Sequence, residues 1–140
     1  MADSRPTIAV IGGTGDEGGA LARRWVAAGY PVVIGSRSAE RGQQKADELN
    51  AALSDREGVV QARGSANEAA AASGDIVVLT VGAAGASRPD VLEVGGLGHE
   101  AHVGPGVENV LAFVADRPGR FPIVTEDARR RLGVVVVRER

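Results

Sequence analysis

The 140-residue chain has no cysteine, which excludes disulfides, thiolate nucleophiles and cysteine-ligated metals together. Aromatic residues are scarce, one Trp, one Tyr and two Phe, so few rings are on hand to anchor a core or a stacking site. Lys45 is the only lysine. With alanine, glycine, valine and arginine abundant, this reads as a coding bias rather than a functional signal. Formal net charge is −2 and no long run carries one sign, which argues against a nucleic-acid or membrane surface. No apolar stretch approaches the roughly 20 residues that span a bilayer. Met1-Ala2-Asp3-Ser4-Arg5-Pro6 lacks the apolar core of a secretory signal. The expectation is one soluble, cytoplasmic domain.

Apolar runs bounded by glycine organise the first half. Thr7 to Ile11, Pro31 to Gly35 and Asp75 to Val81 read as strands buried on both faces, and Val59 to Ala62 as a weaker one. Between them, Asp16 to Ala28 has helical spacing and stops at Gly29, and Ser38 is placed to cap a helix through about Leu53. Ser65 to Ala72 reads as a third helix. Strands and helices alternating over short connections predict an α/β fold: a Rossmann-type parallel sheet with helices on both faces, its first and fourth strands adjacent. Residues 1–81 are expected to form this core.

Residues 82–140 are expected to be an irregular, atypical C-terminal extension of the same domain. Gly82 to Gly106 is glycine-rich without a clear period. Val107 to Ala115 reads as helix or strand, Thr125 to Leu132 as a short helix, and Gly133 to Val137 as a strand.

Gly13-Thr14-Gly15-Asp16-Glu17-Gly18 stands between the first strand and the first helix. Glycines at these places allow a tight turn, a close approach of backbone to pyrophosphate, and close packing of helix on sheet. The helix N-terminus offers N–H groups to an anion. Asp16 and Glu17 oppose that role unless their side chains turn to solvent. The second strand ends Gly35-Ser36-Arg37, with no carboxylate until Glu40. An NAD-preferring unit has a carboxylate there for the ribose hydroxyls; a hydroxyl followed by a guanidinium suits a 2′-phosphate. Arg41 lies one helical turn on. The nucleotide implied is NADP(H).

The runs Ile8 to Gly15, Val33 to Arg37 and Asp75 to Val81 together resemble the NADPH-dependent reductases of coenzyme F-420 (F420), deazaflavin-linked NADP oxidoreductases related to the N-terminal part of pyrroline-5-carboxylate reductases. That resemblance implies a pyrophosphate loop at Gly13, Thr14, Gly15, Asp16 and Glu17, and a 2′-phosphate site at Ser36, Arg37 and Arg41. It places Thr80 and Val81 beside the ribose and nicotinamide. It implies direct hydride transfer between NADP(H) and F420, for which the protein orients two cofactors and needs little acid–base chemistry. The chain departs from the family at Glu17, where an apolar residue is usual, and at Gly82-Ala83-Ala84-Gly85, where a proline and an aromatic residue follow the strand.

A non-catalytic NADP-binding or sensing module, or a shortened reductase without activity, is the alternative. Short-chain dehydrogenase chemistry is excluded: it needs a Tyr-x-x-x-Lys pair, and Tyr30 and Lys45 are fifteen residues apart. His99 and His102 flank Glu100 as an incomplete metal set and read as solvated loop residues. Ser73, Ser87 and Asp90 lack nucleophile–base spacing. Arg129-Arg130-Arg131 reads as a solvent-facing run. Small-molecule cofactors are thus the expected partners, with a homodimer to cover exposed sheet through Val134 to Val137 or Val107 to Val114.

Overall fold

The structure is a computed structural model that describes residues 4–82, 88–106, 108–111, 117–127 and 129–139. The chain divides into two compact units, Met1–Thr80 and Val81–Arg140.

The first unit begins with β1 (Ile8–Ile11), α1 (Asp16–Ala27), β2 (Val32–Ser36) and α2 (Ala39–Ala52). It continues with β3 (Arg63–Ala66), α3 (Asn67–Ser73) and β4 (Ile76–Gly82), whose last two residues pass into the second unit. Its strands are parallel in the order β3-β2-β1-β4, with Ala9 opposite Val33 and Val77. This is the Rossmann-type arrangement, with the first and fourth strands adjacent. Successive residues of β2 show why both faces need cover. Ile34 packs with Ala22 and Val26 of α1 and Ala46 and Leu49 of α2, whereas Gly35 faces Ala70 of α3. A strand covered on both sides has no polar face, and β2 is buried at all five positions.

Two boundaries and one burial pattern differ from the sequence reading. The weak strand at Val59 to Ala62 is not in the ladder; β3 starts at Arg63. The Asn50 side chain donates to the Ala62 carbonyl (2.9 Å) and accepts from the Ala62 N–H (2.7 Å), taking both backbone groups a neighbouring strand would use. Ser65 and Ala66, read as helix, pair with Gly35 and Ser36, so α3 begins two residues later. At the start of β4, Ile76 and Val77 are 47% and 43% exposed, although an all-buried strand was expected. The seven-residue α3 packs over β1, β2 and β3.

The second unit is built from strands. β5 (Asp90–Val94), β6 (His99–Val103), β8 (Gly119–Thr125) and β9 (Arg131–Val137) form an antiparallel sheet in the order β6-β5-β8-β9, with β7 (Glu108–Leu111) as a further strand. Leu92, Val94, Phe121 and Ile123 are buried on one face. The short helix expected over Thr125 to Leu132 is instead the turn between β8 and β9. Thr125 N–H donates to the Arg130 carbonyl, Arg130 N–H donates to the Thr125 hydroxyl, and Arg129 has φ +46°. Alanine and arginine favour helix, but the ladder from Phe121–Val135 to Ile123–Gly133 overrides that weak preference. Of the segment Val107 to Ala115, Glu108–Leu111 is strand; Val107 and residues 112–116 lie outside the described residues, as does Ser87.

Candidate functional site

The C-terminal ends of β1, β2 and β4 meet around the glycine loop. Gly12 leaves β1 with φ +78°, a left-handed conformation that glycine adopts without a steric penalty. A Cβ there would lie 2.7 Å from the Thr80 hydroxyl oxygen. That hydroxyl donates to the Ile11 carbonyl (2.9 Å). Gly13 N–H donates to the Gly35 carbonyl (3.2 Å) and Gly15 N–H to the Gly12 carbonyl (3.1 Å). The loop is therefore tied to both neighbouring strands. Thr80 acts as its brace: the threonine reaches the loop through a hydroxyl whose proton is already engaged.

The glycines differ in what they make room for. A Cβ on Gly18 would sit 2.8 Å from the Gly12 carbonyl oxygen and 2.9 Å from Gly13 Cα, so this glycine lets α1 close on the strand. Gly15 is exposed, and a Cβ there would meet only the Gly12 carbonyl oxygen, at 3.5 Å. Its openness faces outward, on the side from which an anion reaches the helix. Gly15 is the N-cap of α1 and no side chain caps that helix. By contrast, α2 is capped by Ser38, whose hydroxyl accepts from Arg41 N–H (3.4 Å). An uncapped N-terminus beside an open glycine is the arrangement that receives a phosphate. Asp16 and Glu17 occupy the first turn of α1 and both are exposed.

Ser36 is buried at the end of β2; Arg37 and Arg41 are exposed. The first carboxylate along the chain after β2, Glu40, accepts from the Ser38 hydroxyl (2.6 Å), and that bond together with a backbone bond holds its carboxyl below the usual range. Thr14 lies in the loop after β1, and Val81 continues β4 beyond Thr80.

Two residues near this edge carried no sequence signal. Asn67 follows Ala66, which pairs with Ser36. Its buried Oδ1 has no hydrogen-bond partner and would lie 2.9 Å from a Cβ on Gly35. An asparagine at a helix start ordinarily reads as a cap, but here Ala66 takes the cap position. Lys45, one turn beyond Arg41 on α2, lays its stem across Gly19, with Cε 3.1 Å from a Cβ built there. Only contact between helices brings those two residues together.

His99 and His102 lie in β6, three residues apart and therefore on opposite faces of the strand. Among the described residues no group of three His, Asp or Glu side chains could hold a metal ion. No helix of the described residues is long and apolar enough to cross a membrane.

The profile of the family described as "NADP oxidoreductase coenzyme F420-dependent" matches residues 7–89. The F420-dependent NADP reductase of Methanothermobacter thermautotrophicus is 49% identical over 74 residues, 53% of this chain and 31% of that protein. Its counterpart from Methanothermobacter marburgensis is 40% identical over the same length, 32% of that protein, and the one from Methanocaldococcus jannaschii 38%, covering 33%. The matched segment thus spans about a third of the length of these curated relatives.

Proposed function

The chain belongs to the coenzyme F420-dependent NADP oxidoreductase family, and on that footing we propose that its first unit binds NADP(H) for hydride exchange with F420. The observation that carries the NADP(H) half is the contrast between the two helix starts. The N-terminus of α1 is uncapped beside the open Gly15, while β2 ends in the buried Ser36 and the exposed Arg37, and the next carboxylate along the chain, Glu40, is tied to Ser38.

In this reading Gly13, Thr14, Gly15, Asp16 and Glu17 form the pyrophosphate loop: Gly13 and Gly15, whose N–H groups donate to Gly35 and Gly12, hold its shape, and the N–H groups at the start of α1 face the anion, with the two carboxylates exposed. Ser36, Arg37 and Arg41 take the 2′-phosphate, which a guanidinium binds by charge and by paired donors. Thr80 fixes the loop against β1, and Thr80 and Val81 border the ribose and nicotinamide. Hydride would pass between the nicotinamide and the deazaflavin ring, one being oxidised as the other is reduced. The chain's part would be to hold the nicotinamide in place.

A second reading, NADP(H) binding without hydride transfer, is favoured by one finding. The family match ends at residue 89, and the strands that follow form an antiparallel sheet.

Calorimetric titration with NADPH and NADH, repeated on Arg37→Ala, tests the binding. We expect NADPH to bind more tightly than NADH, and Arg37→Ala to weaken NADPH by about 10- to 100-fold, the worth of one charge-assisted contact. NADH binding should not change. Equal affinity for the two nucleotides would sink the assignment. Oxidation of NADPH by F420 then separates the two readings.

A further inference from the structure

Lys45, the only lysine of the chain, is half-buried, and among the described residues no acceptor holds its ammonium. The two carboxylates that follow it on α2 are engaged elsewhere. Asp47 accepts from the Gln43 side chain (2.8 Å) and Glu48 from the Gln44 side chain (3.4 Å). A charge drawn partly out of water without a partner costs free energy, and an anion arriving beside it offsets that cost.

The faces of α2 set where this charge stands. The Gln43 side chain accepts from Gly64 N–H (3.1 Å) and Asn50 bonds to Ala62, so that flank of the helix faces β3 and the residue before it. Arg41 and Lys45 each stand two residues from Gln43, about half a helical turn, and therefore on the opposite flank. There Lys45 meets α1. A Cβ built on Gly19 would lie 3.1 Å from Lys45 Cε, 3.5 Å from its Nζ and 3.6 Å from the Gly13 carbonyl oxygen. The bare glycine thus lets the ammonium lie beside the first turn of α1, close under the glycine loop. Gly19 N–H is paired with the Gly15 carbonyl (2.8 Å), so the charge stands at the side of the helix and not over the N–H groups at its end.

We propose that Lys45 is a third cation of the 2′-phosphate site and helps select NADP(H) over NAD(H), an inference that rests on the reading of Ser36, Arg37 and Arg41 given above. Arg41 and Lys45 line one flank of α2, one helical turn apart, and that flank and the first turn of α1 bound a gap that opens where β2 ends. A phosphate monoester carries about −1.5 to −2 charges near neutral pH, which exceeds the charge of one guanidinium. Arg37 and Arg41 are exposed, where water and salt screen them. Lys45 is the half-buried member of the set, and its charge is screened less.

The stem of Lys45 packs across Gly19, so the test must remove the charge and keep the stem. Lys45→Met does so. Calorimetric titration of the full chain should show NADPH weakened about tenfold, the worth of one charge-assisted contact, with NADH unchanged. The fall in NADPH affinity with rising salt should also be shallower than in wild type. Thermal unfolding without nucleotide should not move, as a purely structural lysine would require it to. Lys45→Gln, uncharged with a polar end, gives the same reading where the methionine variant folds poorly.

Unchanged NADPH affinity overturns the proposal and leaves Lys45 as packing. Equal weakening of NADPH and NADH also overturns it, because the charge then serves the pyrophosphate that both nucleotides carry. A wild-type chain that binds the two nucleotides equally removes the 2′-phosphate reading itself, and this inference with it, before any variant is made.

Discussion

The two units bury their strands in different ways. In residues 4–80 each central strand lies between helix layers, so its sequence is one apolar run: Ile8-Ala9-Val10-Ile11 and Val32-Val33-Ile34. In residues 88–139 no described element is a helix, and along β8 buried Phe121, Ile123 and Thr125 alternate with less buried neighbours. A doubly covered strand ties each side chain to a core, whereas a sheet with one buried face ties only every second one. The first kind is therefore conspicuous in sequence, and the second is diluted by the residues between.

That difference can be broken most sharply by truncation. Ile34→Ala, at a fully buried position in the first unit, should cost about 3–4 kcal/mol in urea unfolding. Ile123→Ala, 8% exposed in the second unit, should cost less, about 2 kcal/mol. Equal costs would mean that the two cores are equally closed.

Asn50→Leu comes next. It removes two hydrogen bonds to Ala62 while keeping the side chain's bulk, and should destabilise by about 2 kcal/mol through the unpaired backbone groups. Unchanged stability would show that water takes over both partners. It would also remove the reason given for the late start of β3.

The smallest effect belongs to the cap of α2. Ser38→Ala should cost about 1 kcal/mol at neutral pH. The Glu40 carboxyl is held below its ordinary range by Ser38. Its contribution is present above the ordinary carboxylate pKa and is lost as pH falls through the lowered one. Stability of wild type and variant, measured from pH 7 down to about 3, should therefore converge toward the acid end. A gap independent of pH would detach Glu40 from the cap.

Legibility followed the same division. The parallel order, the adjacency of β1 and β4 and the glycine loop could be read because each follows from local grammar: a buried run, a glycine turn, an amphipathic helix. That Gly13 follows the end of β1 and Ser36 closes β2 was legible because strand ends in a parallel sheet converge, as the Gly13–Gly35 hydrogen bond reflects. Asn67 was not, since its buried oxygen matters only once β3 has shifted to pair Ala66 with Ser36. The β8–β9 turn was misread as helix because Ala-Arg-Arg-Arg favours helix locally, and only the ladder with Phe121 and Ile123 outweighs that preference.

By itself, the sequence determined that β1 and β2 are buried on both faces and that the chain turns at the glycines after β1 and α1, because apolar runs and glycines act within a few residues. Tertiary structure alone decided where β3 begins, what Thr80 grips, which glycine stays open and which strand is left at the sheet's edge. Those depend on contacts between residues far apart in the chain, such as Asn50 with Ala62 and Thr80 with Ile11. No local preference encodes such contacts, because they form only once the layers have packed.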